Sequence, residues 1–417
     1  MPNPGPAQLV VFDPIFRGSR LYYSALATRA VAEQADVVIV TRRDAVTDHY
    51  HELFDGLPHR LLPVVETVAG FWYGELSPEQ VEQGLAAVVA AAAQVATTSA
   101  LYFPGLNEQM PALVPALRRF GSQLTRTRPV YVEYLPDFLA WPWRRTPPFA
   151  GPGGLPWPLR FGRESLGRLR ALRRLLRLAP GPYLVLDERL RELPERYYLP
   201  PWLARRLDVL SDPAPACELP APVAAAVDEQ PPRPLQLVVF GTQSPRKGLA
   251  DVVALLESPA FAALDVEIAL IGKLTAETEP LRPRLLRQPR LHWTERFVAD
   301  RELGRLLAAC DVALLPYTPA FTASSGSLVR AAQAGLAIVS TEHGLIGHRV
   351  QRHGLGATYR AGDLASLLAA LRVVGAGTGR LSPALARHQD NARRFAAANS
   401  EQAHQATLRR CFGQPDE

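Results

Sequence analysis

The chain has 417 residues, 47% of them hydrophobic and 21% charged; that is too long for one compact core and too apolar for a disordered chain, so two ordinary domains with a cleft between them are expected. A net charge of +6 favours anionic partners such as phosphates, anionic lipid or nucleic acid without choosing among them. Three widely spaced cysteines, Cys217, Cys310 and Cys411, suggest neither a disulfide framework nor a clustered metal site, and suit a reducing cytoplasm.

The first residues, MPNPGPAQ, lack the basic region and apolar core of a secretory signal. The most apolar run, Leu85 to Ala96, is too short to span a bilayer, so neither export by that route nor an integral membrane protein is expected.

From the start, Leu9 to Phe12 reads as a strand, Asp13 to Arg20 as a loop with Gly18, Leu21 to about Glu33 as a helix, and Val37 to Val40 as a second strand. This is a βαβ unit, the building block of a parallel sheet. Further strands are predicted at Leu61 to Val65, Ala100 to Phe103, Pro129 to Glu133 and Tyr183 to Leu186, and a helix runs from Pro78 to Ala96 behind Ser77 as N-cap. Residues 1–211 are thus read as a doubly wound domain.

Between Ala140 and Pro158 the sequence WPWRRTPPFAGPGGLPWP is too rich in Pro and Gly for helix or central strand. The next stretch puts Leu166, Leu169, Leu172 and Leu176 on one helical face, with Arg163, Arg170, Arg173, Arg174 and Arg177 around it. A solvated basic face over a core contact explains this pattern. Peripheral contact of segment 141–177 with an anionic membrane, aided by Trp141, Trp143 and Trp157, is the functional alternative. With no aromatic residue between Gly167 and Leu178, specific nucleic-acid binding is not expected.

Residues 212–234, rich in Pro and Ala, read as a linker. A second α/β domain over 235–382 follows, with strands Leu235 to Phe240, Val266 to Ile271, Val312 to Leu315 and Ala337 to Ser340. Between them lie helices at Leu249 to Leu256, Arg301 to Ala309 and Leu328 to Ala334. A helical tail, 383–417, is expected to pack back on the first domain.

Ligands of open α/β sheets bind beyond the carboxyl ends of the strands, and three loops of the second domain are informative there. GTQSPRKGL from Gly241 sets Arg246 and Lys247 beside Gly248, where a phosphate could approach; a solvated turn with two surface cations is the bland reading. Ser324, Ser325 and Gly326 precede a helix, whose free N–H groups, hydroxyls and dipole suit a diphosphate, although plain N-capping explains them too. STEHGLIGHRV offers glycines for close approach, with His343 or His348 as a donor, although a lone histidine is more often structural. Hydrolytic triads and zinc-spaced Cys/His patterns do not occur.

Taken in order, VVFGTQSPRKGL, VEIALIGKL, FVADRELGRLLAACDVALLPY and SSGSLVRAAQAGLAIVST resemble the C-terminal domain of GT-B glycosyltransferases of the large retaining family that includes sucrose synthases and many bacterial mannosyl- and glucosyltransferases. The resemblance implies two Rossmann-like domains facing a cleft. It also implies a donor site comprising Gly241, Thr242, Gly272, Phe297, Ser324, Ser325, Gly326, Arg330, His343, Gly344, Leu345 and Ile346, with Arg246 and Lys247 as the catalytic cations. Within it Lys247 would sit on the donor phosphates, the Ser324-Ser325-Gly326 helix start would cradle the diphosphate, Leu345 and Ile346 would lie near sugar or diphosphate, and Phe297 would help form the base pocket. Two departures stand out: Thr242 replaces the family's arginine five residues before the lysine, and the paired glutamates are missing, Arg330 standing at the second.

The expected activity is transfer of a sugar from a nucleoside diphosphate sugar to a glycan, lipid-linked or small-molecule acceptor, with retention and with neither metal nor resident cofactor. Gly18, Arg20, Glu133 and Asp137 are the acceptor-side candidates. The expected location is cytoplasmic, with peripheral contact to the inner membrane face as an option. A non-catalytic nucleotide-sugar or glycan binding relative and a nucleotide-sugar epimerase of the same architecture are the alternatives.

Overall fold

The computed structural model describes residues 8–14, 19–65, 77–94, 99–105, 110–120, 123, 127–133, 167, 170–178, 180–192, 201–215, 233–375 and 382–413. The chain divides into two compact units, Met1–Ser211 with Gln402–Glu417, and Asp212–Glu401.

The first unit holds a seven-stranded sheet built from β1 (Gln8–Phe12), β2 (Asp36–Arg42), β3 (Arg60–Val65), β4 (Ser99–Phe103), β5 (Thr127–Glu133), β6 (Tyr183–Val185) and β7 (Leu207–Val209). Their order is β3-β2-β1-β4-β5-β6-β7 and the pairs are parallel. The order reverses between β1 and β4, the doubly wound pattern. Alternation along β1 explains the layering: Val10 and Phe12 enter one core while Leu9 and Val11 enter the other, so both faces are covered, as parallel sheets require.

The second unit repeats the plan with β8 (Leu235–Phe240), β9 (Val266–Ile271), β10 (Leu291–Thr294), β11 (Val312–Leu315), β12 (Ala337–Thr341) and β13 (Gly356–Tyr359). The order is β10-β9-β8-β11-β12-β13, again parallel. Its switch point falls between β8 and β11. The α/β class with two Rossmann-like sheets is therefore as the sequence predicts.

Several local expectations need correction. Helix Ser19–Val31 takes in Arg20, which the sequence places in a loop, because Ser19 and Arg20 already have helical backbone. The stretch read as a third ligand loop is largely a helix, Gly344–His353. Both described ends of the expected linker are packed: Gln333 Nε2 donates to the Ala214 carbonyl at 3.1 Å, and Arg233 donates to both oxygens of Asp311 at 2.9 and 3.0 Å. Residues 216–232, and the Trp-rich loop 141–158, lie outside the described residues.

The expected tail divides into helix Pro383–Ala398 and helix Glu401–Phe412, with the unit boundary at Glu401/Gln402. In the basic segment, residues 171–178 are helical; Leu172, Leu175 and Leu176 are buried in the core while Arg173, Arg174 and Arg177 are exposed. The described leucines of that apolar face therefore pack in the protein core, while Leu166 and Leu169 lie outside the described residues.

Candidate functional site

The three loops read from the sequence come together at the carboxyl ends of β8, β11 and β12, stitched to one another by hydrogen bonds. After β8 the backbone turns at Gly241, runs through the short 3₁₀ turn Pro245–Lys247, and enters helix Leu249–Leu256 through Gly248. Gly248 has φ +71° and lies so close to the Pro316 carbonyl that a Cβ would stand 1.6 Å from its oxygen. A side chain is excluded there by both conformation and space. That close approach brings the β8 loop against the β11 loop.

Lys247 is the centre of the arrangement. It is buried, and its Nζ donates to the Phe240 carbonyl at 3.2 Å and to Ser327 Oγ at 2.8 Å, 4.9 Å from the centroid of the Tyr317 ring. These partners are neutral, and among the described residues no carboxylate pairs with it. A buried ammonium solvated only by dipoles and a ring face retains strong attraction for an anion.

Tyr317, which sequence reasoning missed, binds the loops together: its hydroxyl lies 2.7 Å from Ser325 Oγ and its ring stacks on Phe321 at 4.4 Å. Burial disfavours its phenolate, but the Lys247 charge and hydrogen bonds with Lys247, Ser325 and Ser327 outweigh burial and hold the phenol below its ordinary value. The only signal in sequence was its place directly beyond the end of β11.

Ser325 caps helix Gly326–Gln333, its Oγ accepting from Ser327 N at 3.2 Å. This start lies two residues earlier than the sequence suggests, placing the exposed Gly326 and the half-buried Ser327 in the first turn. First-turn amides and the helix dipole favour an anion next to Lys247. Arg246 is exposed, its guanidinium 5.4 Å from the Phe321 ring centroid, and its carbonyl accepts from Thr318 N. Thr242 is exposed as well.

The β12 loop closes the other side. His343 is the N-cap of helix Gly344–His353, and its Nε2 donates to the Thr318 carbonyl at 2.8 Å. Burial holds this imidazole below the ordinary histidine pKa, which suits a neutral donor of one hydrogen bond. Gly344 packs on Thr322 and Phe321, while Leu345 N donates to the Thr322 carbonyl at 3.1 Å. The Leu345 and Ile346 side chains are buried, so neither offers a side chain to a ligand, and the Leu345 amide is already used.

Farther along, Gly272 at the end of β9 has φ +125°, and a Cβ there would stand 2.2 Å from the Gly241 oxygen. Phe297 is 83% exposed. Arg330 places both arms on Asp300, at 2.7 and 3.1 Å, so its charge is compensated by a carboxylate that the sequence reading did not single out. Arg349 is almost fully buried and donates to Asp212 and to Ser324 Oγ; neither Arg349 nor Asp212 was singled out.

In the first unit, Arg20 is buried in the first turn of its helix, with its guanidinium against Gly105. Glu133 is the last residue of β5. Gly18 and Asp137 lie outside the described residues. Among the described residues no group of His, Cys, Asp and Glu could hold a metal ion, and no helix is long and apolar enough to cross a membrane.

Residues 234–376 match the family profile described as Glycosyl transferases group 1. Searching curated proteins by sequence gives no match. Among solved structures, HepE of Anabaena in complex with UDP is similar at TM-score 0.63 and 15% identity, covering 97% of this chain and 98% of that one. Sucrose-phosphate synthase from Thermosynechococcus elongatus is similar at TM-score 0.63 and 14% identity over 97% and 98% of the two chains. WaaG, a glycosyltransferase involved in lipopolysaccharide biosynthesis, is similar at TM-score 0.56 and 15% identity over 97% and 99%. The fold is therefore GT-B, and the match of residues 234–376 to the group 1 glycosyltransferase profile marks a hexosyltransferase-type enzyme.

Proposed function

We propose that the chain transfers a sugar from a nucleoside diphosphate sugar to a glycan, lipid-linked or small-molecule acceptor, with retention of configuration and without a metal or resident cofactor. The observation that carries this reading is Lys247, a buried ammonium without a carboxylate partner among the described residues, set beside the start of helix Gly326–Gln333. As the bond from the sugar to the diphosphate breaks, negative charge grows on the departing oxygen. Lys247 and the first-turn amides supply preorganised compensation for it, with Arg246 as an exposed second cation.

HepE was solved with UDP and with UDP-glucose, which makes UDP-sugars the first donors to try. The exposed Phe297 ring is a stacking surface for a base, and Arg20 is a positively charged group for the acceptor side. The proposed location is cytoplasmic; any hold on an anionic membrane through segment 141–177 would rest on charge, chiefly the exposed arginines of residues 170–177.

A second reading, a non-catalytic nucleotide-sugar binder, is favoured by one observation: Arg330 is engaged with Asp300 where the resembling family has a glutamate. Thermal unfolding with UDP, GDP, ADP and their common sugars, with and without Mg²⁺, separates the readings when joined to a product assay. Ligand at about 100 times its Kd stabilises the folded state by roughly 2.7 kcal/mol. Stabilisation by one nucleotide family in EDTA, with sugar transfer, is the expected result. Binding without transfer to any acceptor would favour the second reading, and a strict need for Mg²⁺ would remove the metal-free part.

A further inference from the structure

We propose that Arg349 is a positioning residue of the donor site: its guanidinium holds the Ser324 hydroxyl so that the hydroxyl proton is donated to the diphosphate. The proposal rests on the donor-site reading above and deepens it.

Arg349 lies in helix Gly344–His353 and is 2% exposed. Its NH1 donates to Ser324 Oγ at 3.2 Å and to Asp212 Oδ2 at 3.3 Å, and its Cζ stands 5.9 Å from the Phe395 ring centroid. A guanidinium has donors only, whereas a hydroxyl has one donor and two acceptor sites. When Arg349 fills an acceptor site of Ser324, the Ser324 O–H is left as the group's single donor and cannot point back at Arg349. Polarisation by the cation also makes that proton a better donor to an anion.

The rest of the loop supports this orientation. Segment 318–324 is held by 343–349 at three successive points: His343 on the Thr318 carbonyl, Leu345 N on the Thr322 carbonyl, and Arg349 on Ser324. The last of these fixes the residue directly before the cap Ser325, and Ser325 is tied through Tyr317 to the ring on which Lys247 sits. Asp212 compensates the buried guanidinium and is itself fixed, its N–H donating to Asn399 at 3.4 Å. A buried charge paired in this way holds its place well. Ser324 thereby becomes a preorganised donor instead of a freely rotating one.

The test is a double-mutant cycle of Ser324→Ala and Arg349→Lys, read by calorimetric titration with UDP and with uridine; GDP with guanosine and ADP with adenosine are run beside them. Circular dichroism checks the fold. Each single variant should weaken nucleoside diphosphate binding roughly 10-fold and leave nucleoside binding unchanged. The double variant should be no weaker than the worse single one, because both changes remove the same hydrogen bond to phosphate. Arg349→Gln, whose shorter, uncharged side chain does not reach Ser324, replaces Arg349→Lys in the cycle if the latter fails to fold.

Wild-type diphosphate affinity in the Arg349 variant, a double variant as weak as the product of the two losses, or parallel loss of uridine and UDP would each overturn the proposal, the last by reducing Arg349 to a structural role. Failure of the wild type to bind any of the three diphosphates would instead overturn the donor-site reading, and the proposal with it.

Discussion

Lys247 illustrates how a residue's surroundings decide its chemistry. On a surface turn it would be one more solvated cation; buried beside Ser327, the Phe240 carbonyl and the Tyr317 ring, it is held ready for an anion. Lys247→Ala should weaken nucleoside diphosphate binding by about 1.5–3 kcal/mol, roughly 10- to 100-fold, with no loss of nucleoside binding; calorimetry with UDP and uridine checks it. Equal affinity in variant and wild type would remove Lys247 from the site. Gly272 supports the same loop from below. Its φ of +125° and the 2.2 Å gap from a built Cβ to the Gly241 oxygen mean that Gly272→Ala should destabilise the second unit by about 1–3 kcal/mol or more, seen as a lower Tm. Lys247, Ser325 and Gly326 were legible in sequence because loop position beyond a strand end and capping chemistry are local signals. Asp300, Asp212 and Arg349 were not, because their partners stand far off along the chain, Asp212 being 137 residues from Arg349. A charged residue met alone in sequence does not reveal whether its partner is solvent or an opposite charge, and the pairing of Arg330 with Asp300 is such a case.

At the scale of elements, the sequence signals worked where capping and burial were strong. Ser77 accepts from Gln80 N at 3.3 Å and Gln80 Oε1 accepts from Ser77 N at 2.9 Å, a capping box that can be read from the S-x-x-Q spacing. Ser77→Ala should therefore cost about 1 kcal/mol, measured by chemical denaturation. The missed strands β7, β10 and β13 are short, and each lies at the edge of its sheet, where a half-solvated strand shows a weaker apolar run. Helix Gly344–His353 was missed because glycines at 344 and 347 mimic a loop; Gly347 is needed there, since a Cβ would stand 2.3 Å from the Glu342 backbone. Helix Glu401–Phe412 carries a pH signal of its own. Burial pushes the His404 pKa down to about 4 from an ordinary 6.5, opposed by its hydrogen bond to the Ser211 carbonyl. Between those values the unfolded chain binds a proton that the folded chain refuses, so this contribution is complete above about pH 6.5 and is lost as pH falls toward 4. The full shift corresponds to about 3 kcal/mol. His404→Phe, which keeps the ring stacked on Tyr23, should flatten the slope of Tm against pH in that window; an unchanged slope would assign the acid sensitivity elsewhere.

For the whole molecule, the decisive fact is that the first unit is assembled from both ends of the chain. The backbone leaves it at Ser211, forms the second unit, and returns at Gln402. Composition and periodicity showed two α/β halves, but they could not show where each residue of a helical tail would pack, since amphipathic helices fit many apolar faces. In the structure Leu408 and Phe412 are fully buried in the core that contains Leu9, Val11 and Tyr102. Phe412 meets Tyr102 edge-on at 5.8 Å, and Arg409 donates to the Ala30 carbonyl at 3.0 Å. Each of the two large side chains is worth about 1.5–3 kcal/mol of burial, and together they approach the net stability of an ordinary domain, about 5–15 kcal/mol. A chain ending at Glu401 should therefore lose the first unit's cooperative unfolding transition or show it at much lower temperature. The second unit keeps all of its own strands, so a nucleotide-dependent rise in its Tm should survive the truncation, as differential scanning calorimetry with UDP, GDP and ADP would record. An unaltered first transition would show that the returning helix contributes little to that core. Loss of the nucleotide effect would show that donor binding needs the intact first unit, and the site would then extend beyond the residues gathered around Lys247.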